Sequence, residues 1–115
     1  MSPFHLTTHL DQGILTIRVN GYLDGIGAEA VAEAVEHGFS QGCRKFVLNL
    51  EGAPVINSQG VAALFEMAEN IVEHRGGQLV MVGLSKIAMT VFRNTGILSF
   101  AMVADTEAAA IAELS

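Results

Sequence analysis

The chain has 115 residues and a mass of 12.2 kDa, half of them hydrophobic and 16% charged, with 12 acidic against 6 basic residues for a formal charge of -6. That length suits one domain over residues 1–115 and excludes a cofactor domain joined to a substrate domain, while the apolar content excludes a disordered chain. The acidic balance, with the basic residues scattered at Arg18, Arg44, Lys45, Arg75, Lys86 and Arg93, argues against a nucleic-acid surface.

Phe4 to Leu10 alternates, with Phe4, Leu6 and Thr8 in phase, and Asp11-Gln12-Gly13 supplies turn chemistry before a second alternating run, Ile14 to Asn20. In that run Leu15, Ile17 and Val19 share one face and Thr16, Arg18 and Asn20 the other, which predicts a half-buried strand and an opening hairpin. From Ala28 to Phe39 the period lengthens: Ala28, Val31, Ala32, Val35 and Phe39 form the apolar stripe of a helix closed by Gly42. Phe46 to Leu50 is a near-continuous apolar run, the pattern of a strand covered on both faces and hence of a parallel sheet. A second helix starts near Ser58, carries Val61, Leu64, Phe65, Ala68, Ile71 and Val72, and ends at Gly76-Gly77. Leu79 to Val82 reads as a buried strand, and Ile87, Ala88, Val91 and Phe92 mark a third helix stopping at Asn94-Thr95-Gly96. Phe100 to Val103 is expected as a last strand, and Asp105 or Thr106 as the cap of a terminal helix, Glu107 to Leu114, with Ile111 and Leu114 facing inward. The fold class is α/β: a small mixed β-sheet with helices packed on it and an N-terminal edge hairpin.

The lone Cys43 has no internal disulfide partner, the pattern of a reducing compartment, and it reads as an ordinary buried thiol. The N-terminus has no basic segment followed by an apolar core, and no apolar run reaches the ~18 residues of a membrane span. The expectation is a cytoplasmic chain without membrane insertion. His5 and His9 lie ~13 Å apart if extended, too far to share an ion, and with one cysteine the sequence predicts no metal site. Met81 and Met102 fall in expected buried strands and read as core.

Two segments invite chemistry. Gly25-Ile-Gly27-Ala-Glu-Ala30 imitates a dinucleotide fingerprint and opens a reading as a small nucleotide-binding enzyme, yet Asp24 would sit beside the pyrophosphate. The ordinary reading is a flexible strand-to-helix turn, with no cofactor and no catalytic residues. Val55-Ile-Asn-Ser-Gln-Gly60 breaks from apolar to small polar residues where a helix must begin, so Asn57 or Ser58 can cap it. A phosphate on Ser58 would meet unpaired backbone N–H groups and the positive helix end. Glu66, Glu69 and Glu73 line one side of that helix and read either as a solvated face or as a surface for a basic partner.

With these segments in place, the chain resembles a STAS domain, the fold of bacterial anti-sigma factor antagonists and of the cytoplasmic tails of sulfate transporters. The resemblance rests on Gly21-Tyr-Leu-Asp24, Arg44-Lys-Phe-Val-Leu-Asn-Leu50, Ile56-Asn-Ser-Gln-Gly60, Gly76-Gly-Gln-Leu79 and Asn94-Thr-Gly96, in order along nearly the whole chain. It implies a non-enzymatic, protein-binding regulator of transcription that sequesters an anti-sigma factor serine kinase. Phosphorylation of Ser58 by that kinase, which binds the ATP, would release it, and a serine phosphatase would reset it. In the family's D-S-[ST]-G loop Ser58 and Gly60 match, whereas Asn57 replaces the aspartate and Gln59 the second hydroxyl residue. The resemblance also makes Asp24, with Gly25, a candidate partner contact; Glu66 and Glu69 are candidates from the helix pattern. The altered loop leaves a second expectation, a constitutive STAS interaction subunit of a signalling or transport complex indifferent to Ser58.

Overall fold

In a computed structural model, which describes residues 3–115, the strands are β1 (His5–Asp11), β2 (Ile14–Asn20), β3 (Lys45–Gly52), β4 (Gln78–Val82) and β5 (Met102–Ala104). They form one sheet in the order β1-β2-β3-β4-β5, antiparallel between β1 and β2 and parallel from β2 onward. Four helices intervene or follow: α1 (Gly25–Ser40), α2 (Ser58–Glu69), α3 (Lys86–Thr95) and α4 (Glu107–Leu114). Parallel crossovers carry α1, α2 and α3 onto one face. There Leu15, Ile17, Val19, Phe46, Leu48, Leu50, Leu79 and Met81 meet Val31 and Val35 of α1, Leu64 and Ala68 of α2, and Phe92 of α3.

The second face of the sheet is covered as well. Ile14, Val47, Val80 and Val82 form a smaller core with Ala110 and Leu114 of α4. For this reason β2 is not half-buried as expected: Ile14 and Thr16 are 7% and 3% exposed, beside the buried Leu15, Ile17 and Val19. Ile111, expected inward, is 39% exposed, because so short a helix has one buried edge and Ala110 and Leu114 occupy it. An ionic clamp fixes the start of α4. Thr106 caps it, accepting from the Ala109 N–H at 3.1 Å, and Glu107 takes two hydrogen bonds of 2.8 Å from Arg18 and one of 2.7 Å from Asn49.

Other elements also depart from the sequence pattern. α1 begins at Gly25, three residues before its apolar stripe, because the Asp24 side chain caps it from outside. α2 runs on through a π-helical turn, Asn70–His74, which the periodicity read as plain helix. The Arg75 N–H then bonds to the Asn70 carbonyl at 3.0 Å, and the Arg75 guanidinium lies 4.0 Å from the Phe39 ring centre and 3.0 Å from Glu36, tying this end to α1. The last strand starts at Met102, two residues late. Phe100 instead ends a 3₁₀ turn (Ile97–Ser99) and packs edge-on against Phe65, centroids 5.5 Å apart. The short edge strand leaves Met102 37% exposed, so only Met81 of the two strand methionines is core. Cys43 is buried.

Candidate functional site

The helices α1 and α2 start side by side, and their caps are built alike. Asp24 accepts from the Gly27 N–H at 2.8 Å, and Asn57 accepts from the Gly60 N–H at 2.8 Å. An isolated parallel bridge between Leu23 and Ile56 joins the two entry segments: Leu23 N–H donates to the Val55 carbonyl at 3.1 Å, and Asn57 N–H to the Leu23 carbonyl at 3.0 Å. The first turn of α2 passes close over this bridge. A Cβ on Gly60 would lie 2.7 Å from the Leu23 carbonyl oxygen, so the glycine of this loop is required by the approach of its neighbour.

The capping pattern corrects the glycine-rich reading. Gly25 and Gly27 are not a flexible turn but the first turn of α1, and the Gly27 N–H that a pyrophosphate would need already binds the Asp24 carboxylate. A second anion there would be repelled by that carboxylate. Among the described residues no group of three His, Cys, Asp or Glu side chains is placed to hold a metal ion, and His5 and His9 stand exposed on β1.

Asn57, not Ser58, caps α2, which settles the alternative the sequence left open. Ser58 is the first helical residue and is exposed, and its hydroxyl makes no hydrogen bond to any described residue. It stands at one end of a groove of about 830 Å³ between α2 and α3, lined by Ile56, Ser58, Val61, Ala62, Phe65, Glu66, Glu69, Val91 and Thr95. The α2 residues recur at three- and four-residue steps and form one helical stripe. Beside it, between α1 and α2, a second hollow of about 600 Å³ collects Asp24, Gly25, Ile26, Glu29, Asn57, Gln59 and Glu66. Ala62 and Glu66 line both, so the start of α2 is a ridge with a groove on each side.

The structure therefore gathers Asp24, Gly25, Asn57, Ser58, Gln59 and Glu66 around one surface, and Glu69 at its far end; Gly60 lies buried beneath it, and Glu73 falls in the π turn away from the groove. Sequence reasoning missed the apolar part. Val61, Phe65 and Val91 belong to the apolar stripes by which the sequence marks α2 and α3. Val61 is core at 7% exposed, Phe65 packs partly buried against that core and Val91 is 36% exposed, so the same stripes also wall the groove, while Ile87, which marks α3 as well, is 78% exposed. Val55, in the segment leading into α2, and Ile87, in the first turn of α3, line a further small hollow and are both exposed apolar side chains. Among the described residues no helix is long and apolar enough to cross a membrane.

Similar architecture occurs in solved structures. A Thermotoga maritima protein superposes with a TM-score of 0.81 at 18% identity, covering 94% of this chain and 92% of that one. The phosphorylated form of the Bacillus cell fate determinant SpoIIAA gives 0.72 at 24% identity over 98% of this chain and 100% of that one. An anti-sigma factor antagonist from Mycobacterium paratuberculosis gives 0.79 at 17% identity over 96% and 93%. No curated protein sequence matches the chain. The sequence pattern of the STAS domain matches residues 5–110, and by that match the chain belongs to the STAS domain family.

Proposed function

We propose that the chain is an anti-sigma factor antagonist that binds an anti-sigma factor serine kinase and is released when that kinase phosphorylates Ser58. The observation that carries this reading is the division of labour at the start of α2: Asn57 provides the cap, leaving the Ser58 hydroxyl exposed and uncommitted on a partly apolar surface. The relatives add support, since one is a phosphorylated SpoIIAA and another is named an anti-sigma factor antagonist.

In the transfer the Ser58 Oγ attacks the γ-phosphorus of ATP held by the kinase, the bond to the β-phosphate oxygen breaks, ADP leaves, and the hydroxyl proton passes to a base on the kinase. The chain is substrate rather than enzyme. The product adds about 1.5 to 2 negative charges at a residue facing the kinase's nucleotide phosphates, so an interface formed around a neutral hydroxyl is now opposed by like charge and by desolvation of the new anion. Meanwhile the free protein tolerates the phosphate, because Ser58 opens α2, and the N-terminal end of a helix favours negative charge. A serine phosphatase restores the hydroxyl. Asp24, Gly25, Gln59, Glu66 and Glu69 are the further contacts that this surface offers a partner, and a sigma-factor regulator of this kind works in the cytoplasm.

The test is a quantitative pull-down from lysate of the native cells with wild-type protein and the Ser58→Asp variant. Wild type should enrich an ATP-binding kinase of the anti-sigma type, and the variant should retain it several-fold less. Equal retention by both overturns the switch and makes the chain a constitutive interaction subunit, with Ser58 only the first residue of a helix.

A further inference from the structure

We infer that the groove between α2 and α3 is the seat of a short amphipathic, basic helix of the partner, with aliphatic side chains against Ile56, Val61, Phe65 and Val91 and arginine or lysine on Glu66 and Glu69. The inference deepens the proposed function and rests on it for the identity of the partner as the kinase. Three features of the groove select this occupant. Its floor is apolar, and Val91 is 36% exposed, so the surface gains by being covered. Its charge has one sign: neither Glu66 nor Glu69 pairs with a cation among the described residues, where the ion pairs are Arg18–Glu107 and Arg75–Glu36, and no basic side chain lines the groove. Its length fits, since Ser58 to Glu69 spans ~16 Å of helix axis, two to three turns of a partner helix lying alongside.

The acidic wall and the phosphoacceptor stand apart along the groove. Glu66 is ~12 Å and Glu69 ~16 Å from Ser58 along the axis, beyond the ~8 Å Debye length of physiological salt. A basic anchor can therefore hold the partner at one end while new negative charge at Ser58 acts on the nucleotide at the other. Attraction that steers the partner in and repulsion that expels it do not cancel.

The groove can be probed without the kinase. An amphipathic helical peptide of roughly 14 residues, leucine on one face and arginine on the other, is titrated into the protein with the methyl groups of Ile56, Val61 and Val91 followed by NMR. An analogue with glutamate in place of arginine serves as comparison. Saturable shifts at those methyls with the basic peptide, at least about tenfold weaker binding of the acidic one, and a similar loss in E66K/E69K support the inference. The control E33K/E113K changes net charge equally, at exposed positions off the groove, and should bind as wild type does. Equal weakening by both double variants, shifts spread over the surface, or binding indifferent to E66K/E69K overturns it. V91D, whose added charge enters at an exposed position and spares the core, should also lose the peptide. Failure of the kinase reading is separate: it appears as absent phosphate transfer to Ser58 while the peptide still binds.

Discussion

Truncating the cap of α2 tests whether Asn57 rather than Ser58 holds the start of this helix. The Asn57 side chain accepts the Gly60 N–H at 2.8 Å, and no other side chain among the described residues takes that donor. Asn57→Ala leaves it to solvent at a half-buried site and should cost about 1 kcal/mol. With an unfolding entropy of about 2.1 cal/mol/K per residue, a chain of this length loses roughly 4 °C in Tm for that amount. Asn57→Asp keeps the acceptor and adds a charge that the helix N-terminus favours by about 0.3 to 1 kcal/mol. However, Asp24, Glu29 and Glu66 line the same hollow, and their repulsion offsets the gain, so this variant should stay within about 0.5 kcal/mol of wild type. Ser58→Ala should be near neutral, because its hydroxyl bonds to no described residue. Urea and thermal unfolding of the three variants give the order directly. An Asn57→Ala variant as stable as wild type, or a Ser58→Ala variant that loses as much, would refute the assignment of the cap.

Two further outcomes follow from the geometry. The hydrogen bonds from Arg18, helped by that from Asn49 and opposed by burial, hold the Glu107 carboxyl down at about 2. A depressed folded pKa means stability that is present above the unfolded value near 4.5 and lost as pH falls toward 2. Converted in full, the shift is about 3 kcal/mol, but the Arg18 side chain is 47% exposed, and solvent screening reduces it to about 1 kcal/mol. Glu107→Gln should thus lose stability at pH 6 and match wild type near pH 2, as read by urea midpoints; a constant difference across that range would remove the clamp from the account. Gly60→Ala should cost roughly 1 to 3 kcal/mol, since its Cβ would lie 2.7 Å from the Leu23 carbonyl oxygen. Retention of wild-type Tm in that variant would mean that the Leu23–Ile56 bridge yields cheaply.

Local pattern carried the element types and most of the architecture. The alternation of β2 and the three- and four-residue steps of α1 and α2 are properties of the chain itself, because side-chain direction follows backbone period. The Asn57-Ser58-Gln59-Gly60 segment was legible for the same reason: a helix start needs a local acceptor, and small polar residues supply it. Tertiary packing decided the rest. Phe65 and Val91 have the period of core residues, as the buried Val61 does, and only the spacing of α2 from α3 leaves a groove that they line. Thr16 is buried because a helix at the other end of the chain crosses the second face of the sheet, and Glu107 finds Arg18 and Asn49 across that same face. Gly25 and Gly27 belong to a helix rather than a phosphate loop because Asp24 reaches forward to the Gly27 N–H, a choice that the glycine spacing leaves open. Sequence alone thus determined the order and type of most elements and the place of Ser58 at the start of α2, since both follow from short-range backbone and side-chain preferences. The surface around Ser58 was decided by residues far apart in the chain, whose approach is governed by how whole elements share one core.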